Sequence, residues 1–405
     1  LYSGITTEPS ADSFREGWPA GIDAAELRPF YDKAEAMLDL RQIPASQLSD
    51  RRNLLREAAA AIGLGDRFFD PLMAIAFDPA WSGTGDEAAA ARHPRSLNRH
   101  GASQGTCIHF GNCSLGCPVG AKNSVDLTYI ARAERHGASV LPLHAVDTVE
   151  ELPGGGGYRI GFHVLGEAGK RPGSLTARIA VLGAGSIGST ELLLRARDQH
   201  RTLPNLAGPL GRRWNPNGDA ATFAYFPGRA VRPFSGPQTQ AAIHLPGNDG
   251  AVPYQVTVED AGLPSVLRKF LSHTELNPVR ALALAIFVAP LRDAAKRGRK
   301  LGQSSEEAME RVMQLVSMAR EDNYGTLELR RSPWGRHALK LRWDHRGSRD
   351  LFAAVKRLHH DLIAAAGGAP IEPPFDFMRR YRVVTHALGG CPMGATPDTG
   401  VVDPL

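Results

Sequence analysis

One histidine set among small residues is the strongest candidate for chemistry in this 405-residue sequence. His386 lies in VVTHALGGCPMG (residues 383–394), where Gly389 and Gly390 allow the backbone to approach a flat or bulky group. An imidazole titrates near neutral pH and can therefore serve as a general base or acid. The alternative, a histidine that only packs in a core or loop, is preferred for the remaining thirteen of the 14 histidines.

A second candidate is the glycine motif in VLGAGSIGSTELLL (residues 181–194), where Gly183, Gly185 and Gly188 spell GxGxxG. A dinucleotide site needs an acidic residue about 20 positions further on to bind the ribose. The sequence there is PLGRRWNPNG, and Asp198 comes too early, inside the predicted helix. An NAD(P)-dependent dehydrogenase that uses GAGSIG is therefore an alternative that lacks the ribose-binding acidic residue. The glycines indicate close approach of a ligand or tight strand–helix packing.

A third candidate is a cluster of metal-ligand types in TCIHFGNCSLGCPVGAKNS, which holds Cys107, His109, Cys113 and Cys117. Thiolates and an imidazole could bind zinc. Their spacing, however, matches no common zinc or iron–sulfur pattern. We predict small buried thiols in a glycine-rich loop and no metal. A metal-binding structural module remains an alternative.

Composition excludes several classes of protein. The formal net charge of +5, from 47 Lys and Arg against 42 Asp and Glu, is too small and too dispersed for a nucleic-acid-binding surface. Apolar runs stay below the roughly 20 residues that a membrane span requires. Four cysteines do not form a disulfide framework. Neither the compartment nor the oligomeric state follows from the sequence.

Residue periodicity predicts elements of a mixed fold, α/β plus α+β, that would position these candidates. Helices are predicted over residues 24–40, 47–63, 124–136, 264–273, 277–297, 304–320 and 348–366. Residues 80–106 are predicted to be a loop. Strands are predicted as a pair within 138–152, a β-meander from YRIGFHVL and LTARIAVLGAG, a strand within 250–260 and a hairpin at 324–343.

Three segments together resemble one protein family. CIHFGNCSLGCPVGAKNSVDLTYIARAERHGASVLPLHAV, then VLGAGSIGSTELLLRARD with LPNLAGPLGRRWNPNGD, and finally THALGGCPMGATPDTGVVDP occur here in this order. They resemble the glucose–methanol–choline (GMC) flavoprotein oxidoreductases, in particular the cholesterol-oxidase-like branch. The opening LYSGITTEP is similar to the end of the flavin-contacting loop of that family. The resemblance covers nearly the whole chain.

The resemblance implies a two-domain flavoprotein and the cofactor FAD. Residues 1–220 would form an incomplete, Rossmann-like FAD-binding domain, residues 221–378 a substrate domain with an antiparallel sheet, and residues 379–405 a return to the FAD domain. The chain looks truncated at both ends, since the family's dinucleotide fingerprint lies before the point that matches Leu1. On this interpretation GAGSIG lies near the adenine and ribose side of FAD and does not cradle the pyrophosphate.

The resemblance also implies which residues contact FAD. They are Gly183, Ala184 and Gly185 through their backbone, Val146 opposite the adenine edge, Tyr2 and Ser3 beside the isoalloxazine ring and, as weaker candidates, Asn123 and Ser124.

His386 matches the family's catalytic histidine, which implies oxidation of an alcohol, with a sterol as candidate substrate. The imidazole would accept the hydroxyl proton while the hydride goes to the flavin. The family's second catalytic residue is expected beyond Leu405. The usual His-Pro-Leu-Gly-Gly reads His-Ala-Leu-Gly-Gly here, so Ala387 lacks the φ restraint of proline but leaves the base in place.

The resemblance further implies where a substrate would be contacted. Oxidases that act on cholesterol carry a carboxylate that moves the steroid double bond, and this position falls at Gln255, which cannot exchange a proton in that way. Glu259 is close in sequence but is expected on the other side of a regular strand. We therefore predict no isomerase activity. Asn217 is the second substrate-contact candidate.

An apolar helix over residues 277–292, followed by the basic KRGRK at 296–300, is the candidate for peripheral membrane contact. A lid that touches a membrane surface would have this composition. A buried helix with a solvated basic end is the preferred alternative.

Overall fold

The computed structural model describes residues 5–7, 9, 11–14, 18–19, 21–166, 169–206, 208–247, 252–268, 285–333, 335, 337–371 and 384–403. Its α-helices are α1 (Ala24–Leu38), α2 (Asp50–Ala61), α3 (Glu87–Arg92), α4 (Ala131–Arg135), α5 (Gly185–Leu194), α6 (Ala285–Lys300), α7 (Ser305–Met309) and α8 (Arg349–Ala365). Two π-helical turns, Asp126–Ile130 and Arg195–Gln199, adjoin α4 and α5.

The strands form antiparallel sheets. They are β1 (Ile5–Thr6), β2 (Phe68–Phe69), β3 (Leu72–Met73), β4 (Ser96–Leu97), β5 (Ser103–Gln104), β6 (His144–Glu151), β7 (Tyr158–Gly166), β8 (Gly169–Ala177), β9 (Ala220–Tyr225), β10 (Ala242–Leu245), β11 (Val256–Ala261), β12 (Val312–Ala319), β13 (Thr326–Arg331), β14 (His337–Arg342) and β15 (Ala369–Ile371). A six-stranded central sheet has the order β15-β9-β12-β11-β10-β2, and a three-stranded sheet has the order β6-β7-β8. The pairs β1-β3, β4-β5 and β13-β14 form two-stranded sheets.

The two faces of the central sheet have different partners. On one face, alternate residues such as Val258 and Leu315 join α2 and α8 in the main hydrophobic core. Helix α8 contributes an apolar stripe at three-to-four spacing, Leu351, Val355, Leu358 and Leu362. On the opposite face, part of the sheet packs against α6 and α7.

A buried ion pair fixes the orientation of β11. Arg51 of α2 and Asp260 of β11 are fully buried, with 3.4 Å between Nε and Oδ2. The backbone amides of Gln240 and Ala241 donate to the other carboxylate oxygen at 2.7 and 2.8 Å. Since successive side chains of a strand point to opposite faces, Glu259 must point away from α2.

Several sequence predictions are confirmed. Helices were predicted where α1, α2 and α8 lie, a strand where β11 lies and a hairpin where β13 and β14 pair. Helix α1 begins as expected, because the Asp23 side chain accepts a hydrogen bond from the amide of Glu26.

Four predictions of local structure are wrong. Residues 80–106, predicted to be a loop, contain α3 and the short strand pair β4-β5. The helix predicted over 304–320 ends at Met309, and residues 312–319 form β12, because pairing with both β9 and β11 outweighs the helical spacing. Residues 138–152 hold one strand, β6, where a pair was predicted. The RIAVL run lies outside the strands, with Ile179 and Val181 exposed by 74% and 88%.

The predicted domain boundaries remain a prediction. Strand β2 precedes residue 221 yet joins the central sheet through Phe68 and Phe69. Of the predicted apolar helix, residues 277–284 lie outside the described residues. Its later part, α6, buries Leu291 and Ala294 and carries Arg297, Arg299 and Lys300 in its last turn. Within the described ranges, every helix is too short or too polar to cross a bilayer. Peripheral membrane contact remains a prediction.

Candidate active site

The segment that carries His386 is docked by backbone hydrogen bonds. Asn215 and Leu388 exchange them at 3.0 and 2.9 Å, and Gly390 donates to Arg212 at 3.1 Å. A Cβ on Gly389 would lie 1.9 Å from the carbonyl oxygen of Arg213, and one on Gly390 would lie 2.2 Å from Oγ1 of Thr190. The two glycines therefore meet protein neighbours at close range, and their packing fixes the segment against residues 211–215.

His386 is held by a carboxylate that the sequence analysis missed. Nδ1 of His386 lies 2.8 Å from Oδ1 of Asp219. The other carboxylate oxygen accepts from the backbone amides of Thr385 and His386 at 2.6 and 2.9 Å, and from Oγ1 of Thr385 at 3.0 Å. Asp219 is 6% exposed, whereas the imidazole is 46% exposed. Asp219 belongs to the segment NPNGD, of which Asn217 is the predicted substrate contact.

This arrangement sets the tautomer of the imidazole. An ionised carboxylate only accepts hydrogen bonds, so Nδ1 carries a proton and Nε2 is left to accept one. The hydrogen bond and charge of Asp219 raise the pKa of His386, and partial burial of the ring opposes this shift. The site therefore holds an oriented base with one nitrogen available to a substrate.

Glu259 lies on the same face of the central sheet as Asp219. It pairs across β11 and β12 with Val316, which pairs with Ala221, and Ala221 is two residues after Asp219. Because paired residues and residues two apart on a strand share a face, both carboxylates belong to one surface. Glu259 is 8% exposed.

The environment of Glu259 changes its ionisation. Burial and, to a smaller extent, the neighbouring Asp260 raise the pKa of Glu259 to about 7, while His386 opposes this shift. Ionised Glu259 in turn raises the pKa of His386. The two groups therefore interact electrostatically. This corrects the expectation that Glu259 lies on the side of β11 away from the site, because the register directs it toward Asp219 and His386.

Gln255 and Asn217, the two predicted substrate contacts, lie in different parts of the chain. Gln255 precedes β11, and its amide donates to Oγ of Ser13 at 3.0 Å. Asn217 has φ of 59° and lies two residues before Asp219. Its carbonyl accepts from the amide of Ala319 at 3.0 Å, which ties this turn to the end of β12. Substrate contact by either residue remains a prediction.

The glycine motif lies beside the His386 segment. Ser186, in the first turn of α5, donates to the carbonyls of Leu388 and Gly389 at 3.1 and 2.9 Å. Gly183, Ala184 and Gly185 are exposed, and a Cβ on either glycine would meet nothing within 4 Å. Gly185 has φ of 72°, which favours glycine. Open backbone at a helix N-terminus next to an oriented histidine fits the predicted FAD contact.

Val146, another predicted FAD contact, lies on an edge strand of the β6-β7-β8 sheet. Strand β6 pairs with β7 on one side and has no further partner among the described strands. A bulge interrupts the pairing between Val146 and Thr148, and Val146 is 46% exposed. Helix α5 packs against β6. The backbone edge near Val146 can therefore accept and donate hydrogen bonds.

The remaining predicted FAD contacts differ in their burial and hydrogen bonds. Asn123 is 3% exposed, and its side chain bonds the Gln104 amide at 2.6 Å and the carbonyl of Asp39 at 3.3 Å. These bonds favour a structural role. Ser124 is half-buried, and its carbonyl accepts from Oγ1 of Thr128. Tyr2 and Ser3 lie outside the described residues.

The two remaining candidates are the cysteine–histidine cluster and the NAD(P) alternative. Nε2 of His109 lies 2.9 Å from Oε1 of Gln47, and burial lowers the pKa of His109 to about 4. Burial raises the pKa values of the Cys107 and Cys113 thiols. Across the described ranges, no three His, Cys, Asp or Glu side chains are grouped to hold a metal. After α5 and the π-helical turn Arg195–Gln199, the described residues up to 219 contain no strand that ends in a ribose-binding acid.

Comparison with known proteins gives curated relatives that include three cholesterol oxidases. No family model matches the sequence. A cholesterol oxidase from Acinetobacter baumannii is 28% identical over 251 residues, which cover 60% of this chain and 44% of the relative. Cholesterol oxidases from Mycobacterium tuberculosis strains CDC 1551 and H37Rv are each 25% identical over 399 residues, covering 94% of this chain and 65% of the relative.

The chain thus spans between 44% and 65% of the length of these curated relatives. Their match extends over nearly the whole chain in the longer alignments, as the motifs predicted. The mixed fold with antiparallel sheets agrees with the predicted class. The predicted resemblance to the cholesterol-oxidase-like branch of the GMC flavoproteins is confirmed, since the chain is similar to cholesterol oxidases over as much as 94% of its length.

Proposed function

We propose that the protein is an FAD-dependent oxidoreductase that oxidises the CH–OH group of an alcohol, with His386 as the base. The observation that carries this proposal is the contact between Nδ1 of His386 and Asp219, which leaves Nε2 available. The open backbone of Gly183 and Gly185 lies beside the same segment through Ser186. An oriented base next to a cofactor-sized backbone surface suits hydride abstraction from an alcohol.

The residues that would hold FAD are Gly183, Ala184 and Gly185 through their backbone and Val146 through the free edge of β6. When bound, FAD supplies a hydride acceptor for the carbinol carbon. The chain's own residues supply orientation and proton transfer.

His386 removes the hydroxyl proton in this proposal. Nε2 accepts the proton as the carbon–oxygen bond gains double-bond character, and the resulting imidazolium is stabilised by Asp219 at 2.8 Å. Positioned general-base catalysis contributes on the order of 10²–10⁴ in rate. Asp219 acts through His386 and is a positioning residue.

The substrate would be a largely apolar alcohol. The face of the central sheet that carries Glu259 presents the apolar Ala242, Val316 and Ala221 beside the polar Asp219, His244 and Gln314. Small-molecule sites combine apolar surface with a small number of placed polar groups in this way. The relatives are named for cholesterol, so a sterol is the first substrate to test.

The test combines flavin content and turnover. Purified protein should show the absorbance of oxidised flavin, and cholesterol should reduce that absorbance in the absence of oxygen. His386→Ala should retain flavin and lose on the order of 10²–10⁴ of turnover. His136→Ala, which alters an exposed histidine at the end of α4, is the matched control. Undiminished turnover in His386→Ala would remove this residue from the mechanism.

A further inference from the structure

The side-chain amide of Gln314 makes no hydrogen bond to any described residue, although the side chain is buried. Gln314 lies within β12 and is 9% exposed. Its neighbours across the sheet are apolar, Phe223 of β9 and Ala261 of β11. Buried amides are ordinarily hydrogen-bonded, and one that is not reduces the stability of the fold. A ligand that bonds the amide would explain why a polar residue occupies this position.

Gln314 lies on the face of the central sheet that carries the candidate site. Val316, two residues along β12, pairs with Glu259 on one side and with Ala221 on the other. Residues two apart on a strand share a face. Phe223, beside Gln314, belongs to the hydrophobic cluster under α6 and α7, whereas Ala221 is exposed and Val316 is half-buried. The amide therefore lies at the border between the covered and the open part of this face.

The distance between Gln314 and His386 is one that a rigid, extended alcohol can span. Gln314 pairs with Phe223, which is four residues after Asp219, the partner of His386. With a rise of about 3.4 Å per residue and about 4.8 Å between strands, the backbones of Asp219 and Gln314 are about 14 Å apart. The apolar Val316 lies between them. This floor fits a molecule that has an apolar body and a polar group at each end.

We propose that Gln314 binds a second oxygen of the substrate, which is a rigid apolar alcohol with an uncharged oxygen at the end opposite the hydroxyl that is oxidised. An amide donates and accepts hydrogen bonds, so a ketone or a hydroxyl group suits it. The carboxyl groups of Asp219 and Glu259 on the same face disfavour an anionic group. The inference rests on the proposed function and deepens it by naming the substrate class. Cholesterol, for which the relatives are named, has a hydrocarbon chain at that end.

The first experiment measures the stability of the flavin-loaded protein without substrate. Gln314→Met keeps most of the side-chain volume and removes the amide, so the melting temperature should rise by about 1–3 °C. Gln104→Met is the matched control, because the equally buried Gln104 bonds Asn123 at 2.6 Å and its removal should lower the melting temperature. A lower melting temperature in Gln314→Met would mean that the amide serves the fold.

The second experiment compares two hydroxysteroids with the same ring system. At the end opposite the hydroxyl, one has a ketone and the other a methylene group. Wild-type protein should prefer the ketone by about 10-fold in kcat/KM, as expected for one hydrogen bond to an uncharged group. Gln314→Met should reduce this preference to about one- to two-fold, and Gln314→Asn should keep part of it. Gln42→Met, at an exposed position, should keep it in full.

Equilibrium binding distinguishes this inference from the proposed function. The oxidation products of the two steroids bind without turnover, and the product with the additional ketone should have a dissociation constant about 10-fold lower in wild type but not in Gln314→Met. Equal treatment of both steroids and both products by wild type would overturn the role of Gln314 while alcohol oxidation stands. A wild type that oxidises neither steroid would overturn the proposed function, and the binding difference would still decide whether Gln314 recognises the second oxygen.

Discussion

Neighbouring acidic residues on β11 lie in opposite environments. Asp260 faces α2, where one carboxylate oxygen accepts from two backbone amides and the other lies 3.4 Å from Nε of Arg51. Glu259 faces the side that holds Asp219 and His386, and burial raises its pKa to about 7. Adjacent positions on β11 therefore hold a carboxyl group that links β11 to α2 and a carboxyl group that can exchange protons near neutral pH. The partners across the sheet, and not the residue type, determine these roles.

The largest effect is expected from removing the charge that orients His386. Asp219→Asn keeps the shape of the side chain but can stabilise the wrong imidazole tautomer, as Asp→Asn changes do in other carboxylate–histidine pairs. Turnover should fall by about 10³–10⁴-fold, or roughly 4–5.5 kcal/mol of transition-state stabilisation. Steady-state kinetics with flavin-loaded protein measures this effect.

The same variant should alter the pH profile with a defined sign. His386 works as a base when neutral, and Asp219 raises its pKa, so wild-type activity should rise with pH above the usual range of histidine. Without the carboxylate the pKa falls and the residual activity should rise at lower pH. Asp322→Asn, at an exposed site, is the control. A profile that stays in place would contradict the role given to Asp219.

Substitutions on the opposite face of the sheet should change the free energy of unfolding and leave turnover unchanged. Arg51→Met leaves Asp260 buried without its cation and should reduce the free energy of unfolding by about 3–5 kcal/mol. The double variant Arg51→Met, Asp260→Leu removes both charges and should recover much of this loss. Denaturant unfolding measures both variants. Turnover per folded molecule should remain near that of the wild type.

A result in which Arg51→Met changes kcat at full folding would contradict this division between the two faces. So would a double variant less stable than the single one, since both charges would then contribute beyond their mutual pairing.

Acid should destabilise the main-core face through a buried histidine. His359 of α8 is fully buried, and its Nδ1 lies 2.9 Å from Oγ1 of Thr222. Burial lowers the pKa of His359 to about 3, below the value of about 6.5 in the unfolded chain. The unfolded state therefore binds more protons as the pH falls below 6.5, and stability is lost on acidification.

From pH 7 to pH 5 this single group should remove about 2 kcal/mol of unfolding free energy. His359→Gln should flatten that part of the stability–pH curve, whereas His136→Gln should not. Chemical denaturation at fixed ionic strength measures the slopes. Equal slopes in wild type and His359→Gln would assign the acid sensitivity to other groups.

The sequence predicted the site in part, because local patterns report local structure. His386 and the glycine motif stand out by residue type, and Ser186 joins their segments. Asp219 escaped notice because its role depends on a contact between residues 167 positions apart. Glu259 was placed on the wrong side although it lies four residues after Gln255, and residues an even number apart share one face of a regular strand.

Secondary structure was likewise predictable only where it depends on the local sequence. The amphipathic stripe of α8 predicts a helix with little dependence on context. The segment VMQLVSMA was assigned to a helix because apolar residues at mixed spacing fit both periodicities, and two neighbouring strands decided the outcome. Gly389 and Gly390 predicted close approach correctly, yet the neighbours are Arg213 and Thr190 of the chain itself.

The smallest effect is expected at the contact between the glycine motif and the His386 segment. Ser186→Ala removes hydrogen bonds to the carbonyls of Leu388 and Gly389 and should cost about 0.5–1.5 kcal/mol in unfolding free energy. Because these carbonyls follow His386 by two and three residues, looser docking should lower kcat less than tenfold. Ser174→Ala, at an exposed position of β8, is the control. A Ser186→Ala loss as large as that of Asp219→Asn would mean that docking, and not the carboxylate, governs the orientation of the base.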